Sequence, residues 1–582
     1  MMNRRNLAAC VSVALAACGG DGGGGAPAAG LASARAAAPI PAGASVYVDC
    51  SQPNDGTGSQ ASPFNRLGDL ATTIGAGTHV YFKRGATCTG QFASQGSGTA
   101  SAPIVVAAYG SGTARPVIAG NVSGHGAAGA AVALTNQEYW EIHDLEVTNT
   151  AAQRAERNGI LVLLQDFRNG TDANGNPLGV GHHYLIDNVY VHNVYGNNDD
   201  SNDQNTTPGV TGNKWSNGIQ FRVTGTTIPN RFDGVTVQNS EIATVDREGL
   251  TTWSDQSCRT QFGCTGAQNW LASTNVVFKG NTIHDIGGDG MVIRVTRDAQ
   301  AYGNLGYDIA MRALNSNAGF WTINSDGTDF QYNEVHHVRR GSGNNDGEAF
   351  DADYGNNAPI FRHNYSHDNA GGFLLLCGGC GGSAYTQGVV ARYNLSVNDA
   401  REIVMADGSG KFNSDGSVTG PLQFYNNTIY LPAGSGTAIT ATQSAGYKTA
   451  IQFSNNIVDN LGTGGYLASS ANFVPTWRNN LFFGANHTGD PSDATEVSGD
   501  PRFAGPLADA SGNSPTGFAG SSYDNYAALA GFRIAAQSPA ASKGSMIELP
   551  STVDLFQNPL PTKCAPDIGA HQVTPVPATC AP

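Results

Sequence analysis

Tyr332-Asn333-Glu334-Val335, His363-Asn364-Tyr365 and Tyr393-Asn394-Leu395 are three copies of one short phrase that runs through the middle of this chain. The phrase is an apolar or aromatic residue, then Asn, then one residue, then usually Ile or Val. Gln238-Asn239-Ser240-Glu241-Ile242 and Gly280-Asn281-Thr282-Ile283 precede these copies; Asn427-Thr428-Ile429 and Asn455-Asn456-Ile457 follow them. Successive Asn residues stand 42 (239 to 281), 52 (281 to 333), 31, 30, 33 and 28 positions apart, and a degenerate copy at Asn304 splits the 52 into 23 and 29. Such a period marks stacked repeats, because one coil of roughly 20–30 residues cannot bury an apolar face alone. Each copy follows a short run such as Val276–Lys279. A second apolar run comes next, usually opened by Gly: Gly218-Ile219, Gly249-Leu250, Gly290-Met291, Gly319-Phe320 and Gly372-Phe373. Alternation of apolar and polar residues predicts strands. The recurring Asn suits a coil corner, where it tolerates unusual backbone angles, and stacked copies can form an amide ladder. The expected fold is all-β: a right-handed parallel β-helix, one solenoid of about ten coils, with an N-terminal cap and a C-terminal extension. A β-propeller would need a steadier period and a blade signature.

Outward from the repeat, the expected organisation is a signal peptide over 1–18, a tether over 19–45, an opening segment and cap over 46–100, the solenoid over 101–490 and a C-terminal cap or extension over 491–582. Arg4 and Arg5 followed by the apolar run Leu7–Ala17 read as a signal. The run ends in Leu15-Ala16-Ala17-Cys18, which resembles a bacterial lipobox and implies lipidation of Cys18; an ordinary signal cut near Ala17 is the alternative. The expectation is an exported lipoprotein anchored to the outer membrane, at the cell surface or the periplasmic face, and monomeric. Ten Cys residues, less Cys10 and Cys18, leave eight. Local bridges Cys50–Cys88, Cys258–Cys264, Cys377–Cys380 and Cys564–Cys580 suit an oxidising compartment. Cys377-Gly-Gly-Cys380 also has metal or redox spacing, but with no second ligand pair nearby in the sequence a structural bridge is the favoured reading.

The net charge of −15 argues against a nucleic-acid partner and, without cations in the cleft, against a polyanionic substrate. With 76 Gly and only 13% charged residues, the composition suits tight corners and short strands.

The chain resembles the secreted right-handed parallel β-helix repeat proteins of the pectin-lyase-like superfamily over about residues 46–490. Tyr47-Val48-Asp49, Asn54-Asp55-Gly56-Thr57, Ser62-Pro63-Phe64 and Lys83-Arg84-Gly85 are similar to the opening segment of many of them. Asp346-Gly347-Glu348-Ala349-Phe350-Asp351-Ala352-Asp353, followed by Tyr365-Ser366-His367-Asp368-Asn369, resembles a bacterial subgroup, and Ala565-Pro566-Asp567-Ile568-Gly569-Ala570 a closing segment. The chain does not carry the combined Asn-Thr-Asp, Asp-Asp and Gly-His-Gly set of polygalacturonase-type hydrolases, nor the arginine motif of the main pectate lyases. The resemblance therefore implies the fold and supplies no catalytic residue.

In a β-helix, function sits on an outer face. Glu248, Asp289 and Asp346 each precede a Gly and could form an acidic column. In an extended strand Asp351 and Asp353 point to one side, opposite Phe350 and Ala352, about 6.5–7 Å apart. That spacing approaches what an inverting glycosidase needs for an acid, a base and a water. Asp351 and Asp353 are the candidate acid and base, with Asp289 and Glu348 assisting. Trp321, His367, Arg294, Asp326 and Arg401 are candidate substrate contacts; the alternative for Trp321 is cover by a loop, and for His367 a plain corner role, the favoured one, or a base. A Ca²⁺ site of Asp346, Asp351 and Asp353, or a purely structural corner, is the alternative for the acids. The favoured function is hydrolysis of a polysaccharide. The alternatives are a polysaccharide lyase, with His367 or Arg294 as base and Ca²⁺ on the acids, and a non-catalytic glycan-binding rod.

Overall fold

The computed structural model describes residues 37–582. Segments 198–213, 267–268, 313–315, 341–345, 382–384, 443–446, 485–490, 518–525, 548–550, 577–578 and 581–582, with 468 and 492, fall outside the described residues. So do the signal region and Cys18.

Three parallel sheets run the length of a right-handed β-helix. The first sheet orders fourteen strands from Ser45–Val48 to Phe473–Arg478, the second fourteen from Thr87–Thr89 to Val497–Ser498, and the third ten from Ala130–Thr135 to Ala438–Ala441. The solenoid is thus longer than ten coils along two of its sides. It also begins earlier than 101: Ser45–Val48 already pairs in parallel with His79–Lys83, so the segment 46–100 is itself coiled. Inward residues such as Phe278, Phe320, Phe330, Phe350, Phe361 and Phe424 fill one continuous core.

The Asn repeat forms the predicted ladder. Asn281, Asn304, Asn333, Asn364, Asn394, Asn427, Asn456 and Asn480 stack at the corner between the first and second sheets. Asn364 is typical: its Nδ2 donates to Phe330 O (2.9 Å) and Asn394 Oδ1 (3.1 Å), and its Oδ1 accepts from Asn333 N and Asn333 Nδ2 (both 3.0 Å). Two details differ from the sequence reading. The left-handed backbone belongs to the residue before the ladder Asn: Gly280, Gly303, Tyr332, His363, Tyr393, Asn426, Asn455 and Asn479 all have φ between 53° and 63°. The ladder Asn itself supplies the hydrogen bonds, which explains the Asn-Asn pairs at 426–427, 455–456 and 479–480. Asn239 is out of register; it takes the left-handed position, and Ser240 N donates to Asn281 Oδ1 in the ladder.

The C-terminal extension lies along the outer face of the second sheet rather than only closing an end. Tyr365 Oη donates to Pro515 O (2.7 Å), Asn426 Nδ2 to Asp567 O (2.9 Å), and Tyr526 packs on Tyr365. All four predicted disulfides are present. No helix among the described residues is long and apolar enough to cross a membrane.

Candidate active site on the third sheet

The outer face of the third sheet collects the acids that the sequence singled out. Phe350 and Ala352 point into the core, so Asp351 and Asp353 face out, as alternation requires. Parallel register builds three outward columns. In one, Asn217 stands beside Glu248, Asp289 follows one coil on, and Ala318, Glu348, Gly372 and Glu402 continue it. The next runs Val292, Trp321, Asp351, Leu375, Met405. In the third, Arg222 pairs with Trp253, Arg294 with Ile323, and Asp353 with Cys377. The predicted acidic column is therefore real at Glu248 and Asp289, but Glu348, two residues beyond Asp346, occupies the equivalent place. The Gly marker misled at one point: Gly372 lies in the acid column, one residue out of step with Gly249 and Gly290.

These acids fall into two electrostatic groups. Glu248 and Asp289 are neutralised. Lys214 Nζ lies 2.7 Å from Asp289 Oδ2 and 3.7 Å from Glu248 Oε1, and Arg247 Nη1 lies 3.3 Å from Glu248 and 3.7 Å from Asp289. Burial alone would raise the Asp289 carboxyl, but Lys214 and Arg247 prevail and hold it below the usual range.

The second group is not neutralised in this way. Glu348 is fully buried and, among the described residues, neither of its oxygens has a hydrogen-bond partner; Asp351, 6% exposed, leaves Oδ1 without one, and Glu402 Oε1 and Asp407 Oδ1 share that state. Burial pushes Glu348 well above its ordinary range, reinforced by Asp346 and Glu402. Burial, then Asp353 and Asp346, does the same to Asp351. Asp353 is half-buried and accepts from Tyr354 N (2.7 Å). Burial raises it to about 7, moderated by that hydrogen bond and by Lys214 and Arg294. Burial carries Glu402 to about 7 against Arg401, and Asp407 to about 6 with help from Asp346. Asp346 thus acts on every member of the group. Asp351 and Asp353 are two carboxyls on one strand face, both raised above the ordinary range, and like charges crowded together do not both ionise, so one can serve as acid and the other as base.

The other predicted contacts divide by sheet. Arg294 belongs to the site: its guanidinium stacks on Trp253 at 3.9 Å and it moderates Asp353. Arg401 pairs with Glu402 (3.0 Å) at the far end of the acid column. Trp321 faces outward beside Asp351 but is covered, 6% exposed, with Lys214 Nζ 4.7 Å over its ring and Tyr354 packed against it. Its face is therefore closed to a sugar, and its Nε1 has no hydrogen-bond partner among the described residues. His367 is misplaced by the sequence reading. It lies on the second sheet, 2% exposed, between Glu334 (3.2 Å) and Asp368 (2.8 Å), under the C-terminal extension, because the strand Tyr365–His367 follows the Asn corner. Asp326 is fixed by Arg259 (2.7 Å) at a corner bridge with Arg297 and Asn357, away from the acid columns. The Ca²⁺ trio is not assembled: among the described residues, no set of three ligand atoms within 4.8 Å of one another contains Asp346, Asp351 and Asp353 together.

Sequence reasoning missed Lys214, Arg247, Glu402 and Asp407. Arg247 and Glu402 could have been found by stacking strands in register, because each flanks a column already identified. Lys214 reaches the site from outside any strand, at the end of the 198–213 insertion, and carries no such signal.

No family model matches the chain. Among characterised proteins it is 25% identical, over a 640-position alignment, to a lacto-N-biosidase of Bifidobacterium longum subsp. longum. That alignment takes in 93% of this chain and 37% of the relative, so the chain spans little more than a third of the curated protein it matches. Among solved structures it resembles the GH136 lacto-N-biosidase of Eubacterium ramulus, with a TM-score of 0.54 and 20% identity over 75% of this chain and 68% of that one. That likeness supports the β-helix.

Proposed function

We propose that this chain is a glycoside hydrolase that cleaves a glycan on the outer face of the third sheet. Asp351 is the protonated acid and Asp353 the carboxylate base; burial first, then the charges of Asp353 and Asp346, keep the acid neutral. The observation that carries this is the pair itself: two outward carboxyls on one strand, Asp351 well above its ordinary range and Asp353 at about 7. Two residues along a strand place them about 6.5–7 Å apart, which suits a water between acid and base and hence inversion at the anomeric carbon. Asp289, already neutralised by Lys214, positions rather than reacts. The name of the Bifidobacterium relative points the same way and suggests a lacto-N-bioside as the first substrate to try. The reading also includes export as a lipoprotein through Cys18, with the soluble unit acting at the outer membrane as a monomer.

A lyase route through His367 has no support, since that imidazole lies on another sheet beneath the C-terminal extension. The test is a glycan panel, including a chromogenic lacto-N-bioside, read for new reducing ends and for the ultraviolet absorbance of an unsaturated product. Reducing ends without absorbance, lost in Asp351→Asn and in Asp353→Asn but not in Asp326→Asn, are expected. Unsaturated product, or full turnover in both aspartate variants, would sink the assignment.

A further inference from the structure

The Cys377–Cys380 bridge sits against the proposed base. Cys377 pairs in register with Asp353 on the neighbouring strand. The sulfurs of Cys377 and Cys380 and a carboxylate oxygen of Asp353 all lie within 4.8 Å of one another. Cys377 is nearly buried, while Cys380 is exposed at the turn Gly378–Gly381, so a reductant can reach the bridge from solvent. Cys-x-x-Cys is also the spacing with which two thiolates from one turn reach a single tetrahedral ion.

We propose that reduction of Cys377–Cys380 creates a site for a soft divalent cation such as Zn²⁺, with the two thiolates and the Asp353 carboxylate as ligands, and that the bridge keeps this cation off Asp353. The chemistry balances simply. A phosphine reductant gives two electrons to the S–S bond and is oxidised to its oxide with oxygen from water; the water's two protons complete the thiols. Ion binding then releases those two protons, leaving two sulfur ligands at about 2.3 Å, one carboxylate oxygen and a fourth position for water. Oxidised, the same sulfurs are bonded to each other and are poor ligands. A protein carrying an acid pair beside a dithiol would lose its base to any available Zn²⁺, so the disulfide has a protective role beyond holding the turn. That consequence rests on the function proposed above; the metal site itself does not.

The test uses the full chain and Co²⁺ as an optical probe. After phosphine reduction, one equivalent of Co²⁺ should produce a thiolate-to-cobalt charge-transfer band that the oxidised chain lacks, and Zn²⁺ should displace it. The band should vanish in Cys380→Ser, whose exposed position leaves folding intact. In reduced Asp353→Asn the Co²⁺ affinity should fall about tenfold or more. A reduced chain without the band, a band that survives in Cys380→Ser, or undiminished affinity in Asp353→Asn each overturns the site. Because the readout is metal binding, it stands whether or not a glycan substrate has been found.

Discussion

Replacing Asp353 by Asn should make the protein more stable at alkaline pH while abolishing turnover. The Asp353 carboxyl is at about 7 in the folded state against an ordinary value of 3.8. Below about pH 3 both states are protonated and the group contributes nothing to the pH dependence. As pH rises, the unfolded chain ionises first, so stability falls until the folded carboxyl ionises as well, and the loss is complete above about 7. Three pKa units at 1.36 kcal/mol each set that loss at about 4 kcal/mol. Asn has the same shape, keeps an oxygen for Tyr354 N, and cannot ionise. At about 2.1 cal/mol/K per residue, a unit the length of residues 37–582 unfolds with an entropy near 1.1 kcal/mol/K, so the gain corresponds to roughly 3–4 °C in Tm. Melting curves of both proteins from pH 4 to pH 9 should coincide at the acid end and separate through pH 5–7, with the variant higher. Coincident curves across the range, or a variant less stable at pH 8, would show that Asp353 is not held protonated by its surroundings, and the acid–base assignment would go with it.

The pH dependence of kcat/KM should show an acidic limb near 7, where Asp353 must lose its proton, and an alkaline limb where Asp351 loses the one it donates. A limb near 4 alone would point to a different base. Lys214→Met should cost about 3 kcal/mol in chemical denaturation, because it leaves Asp289 and Glu248 buried with Arg247 as their nearest cation; an unchanged midpoint would mean the pair is solvated. Asn364→Leu removes four ladder hydrogen bonds and strands Phe330 O and the Asn333 N–H, a loss of about 3–5 kcal/mol by thermal melt. Asn239→Ala, outside the ladder, should cost about 1–2 kcal/mol, from Ala in a left-handed backbone and the lost bond to Asp187, and so less than the ladder change.

The solenoid was legible because its signal is redundant. Eight ladder asparagines repeat one corner, and six of them, Asn281 to Asn427, set the period even though Asn239 and Asn455 each stand one position before the ladder. The outward direction of Asp351 and Asp353 was legible too, because Phe350 between them and the acid column fixes the strand phase. Membership of a sheet was harder. His367 and Asp353 are close in sequence, and only the intervening Asn corner at 364 sends one to the second sheet and the other to the third. Trp321 was correctly aimed outward, yet what covers it comes from Lys214, more than a hundred residues earlier and outside any repeat. Periodicity reports which way a side chain leaves the backbone; it carries no information about what an insertion lays over it.

The second and third sheets make a controlled comparison inside one molecule. On the second sheet, outward acids and imidazoles are matched across coils: Glu146 with His192 (3.0 Å), Glu241 with His284 (3.1 Å), Glu334 with His367 (3.2 Å). Tyr307, His336 and His367 stack in sequence, and the extension closes over the end of the row, with Gly517 N donating to Glu334 Oε1 (2.8 Å). Among the described residues the third sheet holds its acids deeper and with less matching: both oxygens of Glu348, Asp351 Oδ1 and Asp407 Oδ1 are buried without a hydrogen-bond partner, while Glu402 keeps Arg401 at 3.0 Å and the second sheet has one such oxygen, Asp459 Oδ1. A buried carboxyl without a partner costs about 1–3 kcal/mol, more when charged, and a change to Gln, Asn or Leu would relieve it. The fold pairs Glu146, Glu241 and Glu334 on one face, and packing alone gives no reason to gather three such acids, Glu348, Asp351 and Asp407, on another. Chemistry performed on a ligand that brings its own hydroxyl donors does give a reason, since a sugar would meet those oxygens and the protein alone does not.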